Sequence, residues 1–303
     1  MRAWVLRGID DLKIDDVPAP EPKEGEVLVK VKAAGICSSD VHRVYSTGAY
    51  HYPIILGHEF SGVTGDGVRV GVFPLLPCHC CEFCVAQQYE TCINYSYLGS
   101  RQDGAFAEYV AVREWNLITL PDSITFEQAA MLEPAAVALH AVKRLDVRGA
   151  ESVAVIGDGA IGLLIAKWLS ILCDAKVGVF GRSDIPPLER YDICIEAVGS
   201  SDAYHRCIEL TRPNGQLLLV GNPNIDFGVS RELHWQVLRK QLNVRGSWNS
   251  SYPADWQETI DMADALQLDC FISNKYRFCE LDRAFVNMHG KSKCRGKAVV
   301  VFD

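Results

Sequence analysis

The chain has 303 residues, 38 of them acidic and 30 basic, for a net charge of −8. That length favours two domains over one, and an acidic balance with no lysine- or arginine-rich run argues against a nucleic-acid partner. With 49% apolar and 22% charged residues the composition is globular, which excludes bulk disorder, collagen and coiled coil.

The opening residues, MRAWVLRGIDDLKIDD, alternate in polarity and carry acids early, so they do not read as a signal peptide. The first 120 residues are β-rich: short runs such as Val27–Val31 and Phe106–Val112 are broken by glycine and proline clusters at Pro18–Gly25 and Gly65–Gly71. A helix is predicted over Phe126–Leu145, with Pro134 inside it. Then come a strand at Glu151–Ile156, a helix at Leu163–Leu172 and strands at Lys176–Phe180 and Tyr191–Val198. A helix at Asp202–Thr211 and a strand at Gln216–Val220 follow. Strand, helix and strand at this spacing predict parallel βαβ units. From about Cys270 the texture is mixed again and ends in a strand, Lys297–Phe302. The most apolar stretch, Val153–Cys173, contains Asp158, Lys167 and three glycines, which makes it a poor membrane span. No membrane partner is expected, and the expected compartment is the cytoplasm. The domain reading is 1–138, 139–269 and a C-terminal return at 270–303.

Five of the twelve cysteines fall in one short window. Cys78, Cys81, Cys84 and Cys92 have the spacing C-x2-C-x2-C-x7-C, in which thiolates on a tight loop can surround a tetrahedral zinc ion. Such a closed site fixes a loop and does no chemistry; the bland reading is a cluster of reduced thiols. Cys80 falls out of phase. The second motif is GDGAIG: Gly157, Asp158, Gly159, Ala160, Ile161 and Gly162, set between a predicted strand and a predicted helix. In that context it is a dinucleotide fingerprint, with Gly157 making the tight turn, Gly159 admitting the pyrophosphate and Gly162 letting helix and strand pack closely. The next strand ends in Gly181, Arg182 and Ser183. An acid there would bind the ribose 2′-hydroxyl; a guanidinium suits a 2′-phosphate, so NADP(H) is favoured over NAD(H). A third set is dispersed: Cys37 in GICSSD, His58 and Glu59 in LGHEF, and Glu133 in LEPAAVALH. Each is bland alone, but together they have the chemistry of a catalytic zinc site with one open position.

On these three sets, and on the stretches GAYHYPIILGHEFSG, PLLPC, YLGSRQDGAFAEYV and GSWNSSY, nearly the whole chain resembles the zinc-dependent medium-chain alcohol dehydrogenases. Within them it is most similar to the polyol dehydrogenases of the sorbitol, threonine and galactitol-1-phosphate type. The resemblance implies an α/β fold: a GroES-like β-rich catalytic domain plus a Rossmann domain with a doubly wound parallel sheet, and a substrate cleft between them. It implies two zinc ions per chain. Cys37, His58 and Glu133 would hold the catalytic one, with Glu59 able to enter or leave its sphere, and the four spaced cysteines would hold the structural one. Ser39 resembles the hydroxyl that takes the substrate proton, His42 a relay imidazole, and Val198 and Gly221 coenzyme-lining positions. The implied substrates are polyols, ketoses or their phosphates, and the implied assembly is a homodimer or homotetramer. Arg43, Arg101 and Lys293 are the basic candidates for a substrate phosphate, and Trp248 and Asn249 could border the nicotinamide or a subunit contact.

The chain departs from this pattern in two places. The hairpin after GHEFSG is shortened to TGDGVRVGV. Only Ser183–Arg190 separates Lys176–Phe180 from YDICIEAVG, so the third strand is missing and a sheet of order 2-1-4-5-6 is expected. Those residues reach about 26 Å fully extended, and Pro186–Pro187 suits such a path. Two other functions compete. One is a non-catalytic, zinc-stabilised scaffold or partner protein, against which the retained ligand set and glycine fingerprint argue. The other, a zinc-free quinone reductase, fails because the ligands are present.

Overall fold

A computed structural model describes residues 1–184, 190–226, 228–290 and 295–302. It separates into two compact units, Met1–Glu133 with Ser251–Asp303, and Pro134–Ser250.

The centre of the first unit is the strand Glu26–Ile36. Among the described residues it lies within a seven-stranded sheet, whose order is Leu117–Thr119, Arg69–Val72, Glu59–Thr64, Glu26–Ile36, Lys297–Val301 and Ile272–Arg277, with Tyr109–Arg113 also pairing to the central strand. Alternation along EVLVKVKAAGI buries Val29, Val31, Ala34 and Ile36 in one core with Phe60, Val70, Val72, Phe106 and Phe285. A register shift between Val31 and Ala33 breaks that alternation, and both Ala33 and Ala34 are fully buried. Beyond the shift, Gly35 pairs with Glu59 and Ile36 with Ala298. The residue after the strand, the first residue of a second strand and a residue of the last strand thereby meet at one end of the sheet.

The helix predicted over Phe126–Leu145 is two helices, Phe126–Ala129 and Leu132–Lys143. The first is closed by a Thr125–Gln128 capping box. A proline at 134 cannot donate to the carbonyl four residues back and its ring clashes with that carbonyl, so it is accommodated in the first turn of a new helix. The break places Glu133 beside Pro134 at a helix start.

Among its described residues the second unit holds five parallel strands in the order Lys176–Phe180, Ser152–Ile156, Tyr191–Glu196, Thr211–Leu219, Asn243–Gly246. This is the truncated 2-1-4-5-6 sheet expected from the missing segment. One of its interior strands, SVAVI, is nearly all buried, as a parallel strand covered on both faces requires. Trp168 of the helix Ala160–Leu172 is fully buried, and its indole N–H donates to the Ala135 carbonyl at 2.9 Å. The path argued for Pro186–Pro187 lies outside the described residues, as does Lys293. No described helix is long and apolar enough to cross a membrane.

Candidate active site

Cys37 caps the helix Ser38–Tyr45 directly after the central strand of the first unit. Its N–H donates to Asp40 Oδ2 at 3.3 Å, which turns the chain and sets the thiol at the sheet's end. His58 and Glu59 arrive on the neighbouring strand. Ligand atoms of Cys37, His58 and Glu59 all lie within 4.8 Å of one another. Glu59 is 1% exposed, and its carboxylate lies across Gly35, where any Cβ would come within 2.3 Å of Oε2. Only glycine admits that approach.

The charges here are balanced by residues that the sequence reading did not single out. Lys297 Nζ donates to Glu59 Oε1 at 2.6 Å, with both side chains buried. Burial works against the ammonium, but Glu59 and Cys37 outweigh it and raise the lysine's pKa. Asp40, wholly buried, stands 3.4 Å from His58 Nδ1 and 3.5 Å from Arg43 Nη1. Burial opposes its ionisation, yet His58 and Arg43 hold its pKa below the usual range, and Asp40 in turn raises that of His58 well above normal against burial. Two buried atoms of the trio, Glu59 Oε2 and His58 Nδ1, make no hydrogen bond. Soft, borderline and hard donors converging with a buried oxygen unspent suit a zinc ion.

Glu133 does not fall within the mutual 4.8 Å of the trio. Its Oε1 instead accepts the Tyr97 hydroxyl at 3.1 Å, and the Tyr97 ring meets the His58 ring edge-on at 5.7 Å. Burial, then the charge of Glu59, lifts the Glu133 carboxyl to about 7. Ser39 Oγ accepts from Arg43 Nη1 at 2.9 Å. His42 lies on the same helix, its Nδ1 3.5 Å from Ser46 Oγ; burial, followed by the charges of His289 and Arg43, lowers its pKa. Arg101 is sandwiched between the rings of Tyr50 and Tyr95, at 4.9 and 4.5 Å. Trp248 is half exposed, and Asn249 takes a left-handed backbone.

Cys78, Cys81, Cys84 and Cys92 form the second cluster. Their sulfurs stand 3.5 to 3.9 Å apart in the Cys78–Cys92, Cys78–Cys84 and Cys81–Cys92 pairs. A disulfide needs about 2.05 Å, whereas a tetrahedron with arms of about 2.3 Å has edges of about 3.8 Å. Backbone N–H groups of Cys80 and Cys81 pull the Cys78 thiol down to about 6, toward the thiolate a metal requires. Cys80 itself is exposed and outside the quartet.

In the second unit the glycine-rich turn joins the strand Ser152–Ile156 to the helix Ala160–Leu172, as the fingerprint requires. Gly157 takes φ +127°, and a Cβ on Gly162 would fall 2.0 Å from the Gly157 carbonyl, while one on Gly159 would point into open space. That opening, at the first turn of the helix that carries Ala160 and Ile161, leaves room for a diphosphate against the helix start. Beyond it Val198 is exposed, and Glu196, 3% exposed, accepts the Val198 and Gly199 N–H groups at 2.8 and 2.7 Å. A Cβ on Gly221 would strike Gly199 and Glu196. At the end of the strand Lys176–Phe180, Arg182 and Ser183 are exposed.

The residues that sequence reasoning missed divide by the range of their partners. Asp40 was visible in principle, as an acid three residues after the cap Cys37. Lys297 and Tyr97 act over 238 and 36 positions and leave no local signal.

Residues 23–122 match the alcohol dehydrogenase GroES-like domain and residues 178–300 the zinc-binding dehydrogenase domain. Galactitol 1-phosphate 5-dehydrogenase of Escherichia coli K12 is 32% identical over 289 residues, covering 81% of this chain and 82% of that protein. Sorbitol dehydrogenase of Halalkalibacterium halodurans is 28% identical, covering 92% of each. The crystal structure of galactitol-1-phosphate dehydrogenase from Escherichia coli superposes with a TM-score of 0.89 at 29% identity, over 99% of this chain and 100% of that one.

Proposed function

Since the chain belongs to the zinc-binding dehydrogenases with an alcohol dehydrogenase GroES-like domain, we propose that it transfers hydride between NAD(P)(H) and a secondary alcohol or ketone of a polyol or polyol phosphate. The observation that carries this reading is the Cys37–His58–Glu59 trio, with its His and Glu buried and Glu59 Oε2 unspent. Cys37, His58 and Glu59 would hold a zinc ion there, which would supply Lewis acidity at the substrate oxygen, while a nicotinamide coenzyme would supply the hydride chemistry.

The protein's own residues orient and move protons. Asp40 fixes the His58 ring from the Nδ1 side, which leaves Nε2 for the metal. Lys297 neutralises one oxygen of Glu59 and leaves the other for the site. Glu133, held by Tyr97, would complete the ligand set. Ser39, whose Oγ accepts from the Arg43 guanidinium, relays the substrate proton, taking it up as its own hydroxyl proton passes on. His42, three residues along the same helix, is kept neutral and so can receive that proton before solvent does. Ala160, Ile161 and the flanking glycines cradle the diphosphate, and Val198 and Gly221 border the nicotinamide half. Arg182 is the one feature that favours NADP(H). The cysteine quartet holds a second, structural zinc. A homodimer or homotetramer in the cytoplasm completes the reading.

The test is a metal count beside a screen of polyols and ketoses with both coenzymes. Wild type is expected to hold two zinc ions, one for each cluster, and to turn over. Cys37→Ser is expected to hold one and to show no activity. A fully metallated protein that moves no hydride to or from any polyol or ketose would overturn the proposal.

A further inference from the structure

The end of the strand Lys176–Phe180 is where a dinucleotide-binding sheet presents the acid that accepts the adenosine ribose hydroxyl. Here that position is Gly181, which has no side chain to offer. The space is nonetheless filled. A Cβ built on Gly181 would stand 2.9 Å from both Cγ and Oδ2 of Asp158 and 3.1 Å from its Oδ1. The carboxylate of Asp158 therefore lies over the Gly181 Cα, where a side chain leaving the strand would begin.

Asp158 comes from the glycine-rich turn. With Gly157 at φ +127° the chain swings so that the next side chain reaches the neighbouring strand's end. A glycine at 181 and a carboxylate from 158 are thus two halves of one arrangement, since any larger residue at 181 would displace the carboxylate. The backbone of Gly181 is held as well: its N–H donates to Asp184 Oδ2 at 2.7 Å, and its carbonyl accepts from Arg206 Nη1 at 3.4 Å. Two carboxylates, Asp158 and Asp184, therefore flank the strand end. Of the two guanidiniums nearby, that of Arg206 is spent on the Gly181 and Asp184 carbonyls and that of Arg182 is exposed.

We infer that Asp158 supplies from the glycine turn the ribose-hydroxyl acceptor that the strand end lacks, and that it sets the coenzyme preference to NAD(H). A carboxylate in that place accepts the 2′-hydroxyl and repels a 2′-phosphate, which outweighs a solvated Arg182. The inference rests on the dehydrogenase reading above and reverses the preference drawn from Arg182 alone.

The experiment is calorimetric titration of the zinc-loaded protein with NADH and with NADPH. Wild type is expected to bind NADH at least about tenfold tighter, the scale of one charge-assisted hydrogen bond. Asp158→Asn, which keeps the shape and removes the charge, is expected to lose about tenfold in NADH affinity and none in NADPH affinity. Gly181→Ala, which pushes on the carboxylate, is expected to weaken NADH in the same sense. A wild type that binds NADPH equally or more tightly overturns the inference and leaves the dehydrogenase reading standing; so does an Asp158→Asn protein with an unchanged ratio. If a folded, metallated wild type binds neither coenzyme, both fall together.

Discussion

Lys297 and Glu59 form an ion pair with both partners buried, and such a pair is revealing chiefly when one member is removed. Its net worth against a well-packed apolar pair is small, but an orphaned charge in the core costs about 3–5 kcal/mol. Lys297→Met is therefore expected to lower the unfolding free energy by that amount in denaturant titration, most of all in protein stripped of zinc, where no metal ion answers the Glu59 charge. Lys297→Arg, which keeps the charge, is expected to retain much of the stability. A Lys297→Met protein as stable as wild type would show that Glu59 is protonated or solvated there. This partner was not legible in the sequence. Cys37, His58 and Glu59, each bland alone, could be picked out because together they have the chemistry of a metal site, while Lys297 is a lysine at the start of an apolar strand whose meaning comes only from the register Ala298 to Ile36.

At the scale of elements, Asp192 ties the parallel sheet together at its lower end. Its Oδ2 accepts the Glu151 and Ser152 N–H groups, each at 2.8 Å, and Oδ1 meets Arg212 Nε at 2.6 Å. One carboxylate thus joins the starts of three strands. Burial opposes its ionisation, but these bonds and Arg212 prevail and its pKa falls below the ordinary 3.8. A depressed carboxyl contributes its stability above the ordinary value and loses it as pH falls through the depressed one. Asp192→Asn is accordingly expected to cost about 2 kcal/mol near neutrality, with the gap from wild type closing below pH 3.8; a gap independent of pH would mean that the ionised form is not what holds the strands. Most of the parallel strands were legible, because a strand buried on both faces reads as a run of Val and Ile whatever surrounds it; Asn243–Gly246, exposed along its length, carries no such run and was not singled out. The split helix was less so. Apolar residues continue through 130–131, and only the backbone consequences of Pro134 and the Thr125–Gln128 box divide them.

Over the whole molecule the strand order 2-1-4-5-6 followed from counting residues, since the short segment Ser183–Arg190 leaves no length for a third strand and its helices. What counting could not show is which side chain takes over at the strand end: the Asp158–Gly181 contact depends on loop geometry. The cysteine quartet offers a test at this scale. Chelation of zinc is expected to speed hydrogen exchange across residues 78–92 while the five-stranded sheet of the second unit keeps its protection, because the quartet lies wholly in the first unit. Equal loss of protection in both would show that the loop zinc supports the entire chain.

The strand Lys297–Val301 lies in the middle of its sheet, between Glu26–Ile36 and Ile272–Arg277. During synthesis, therefore, an interior strand of the first unit emerges only after the whole of the second unit. Lys297 emerges 238 residues after Glu59, a delay on the order of tens of seconds at ordinary translation rates. The second unit, Pro134–Ser250, is complete well before then. Order of emergence and order of completion are thus inverted: the unit that opens before the other closes after it, and throughout the wait the Glu59 carboxylate lacks the Lys297 ammonium that pairs with it in the finished fold.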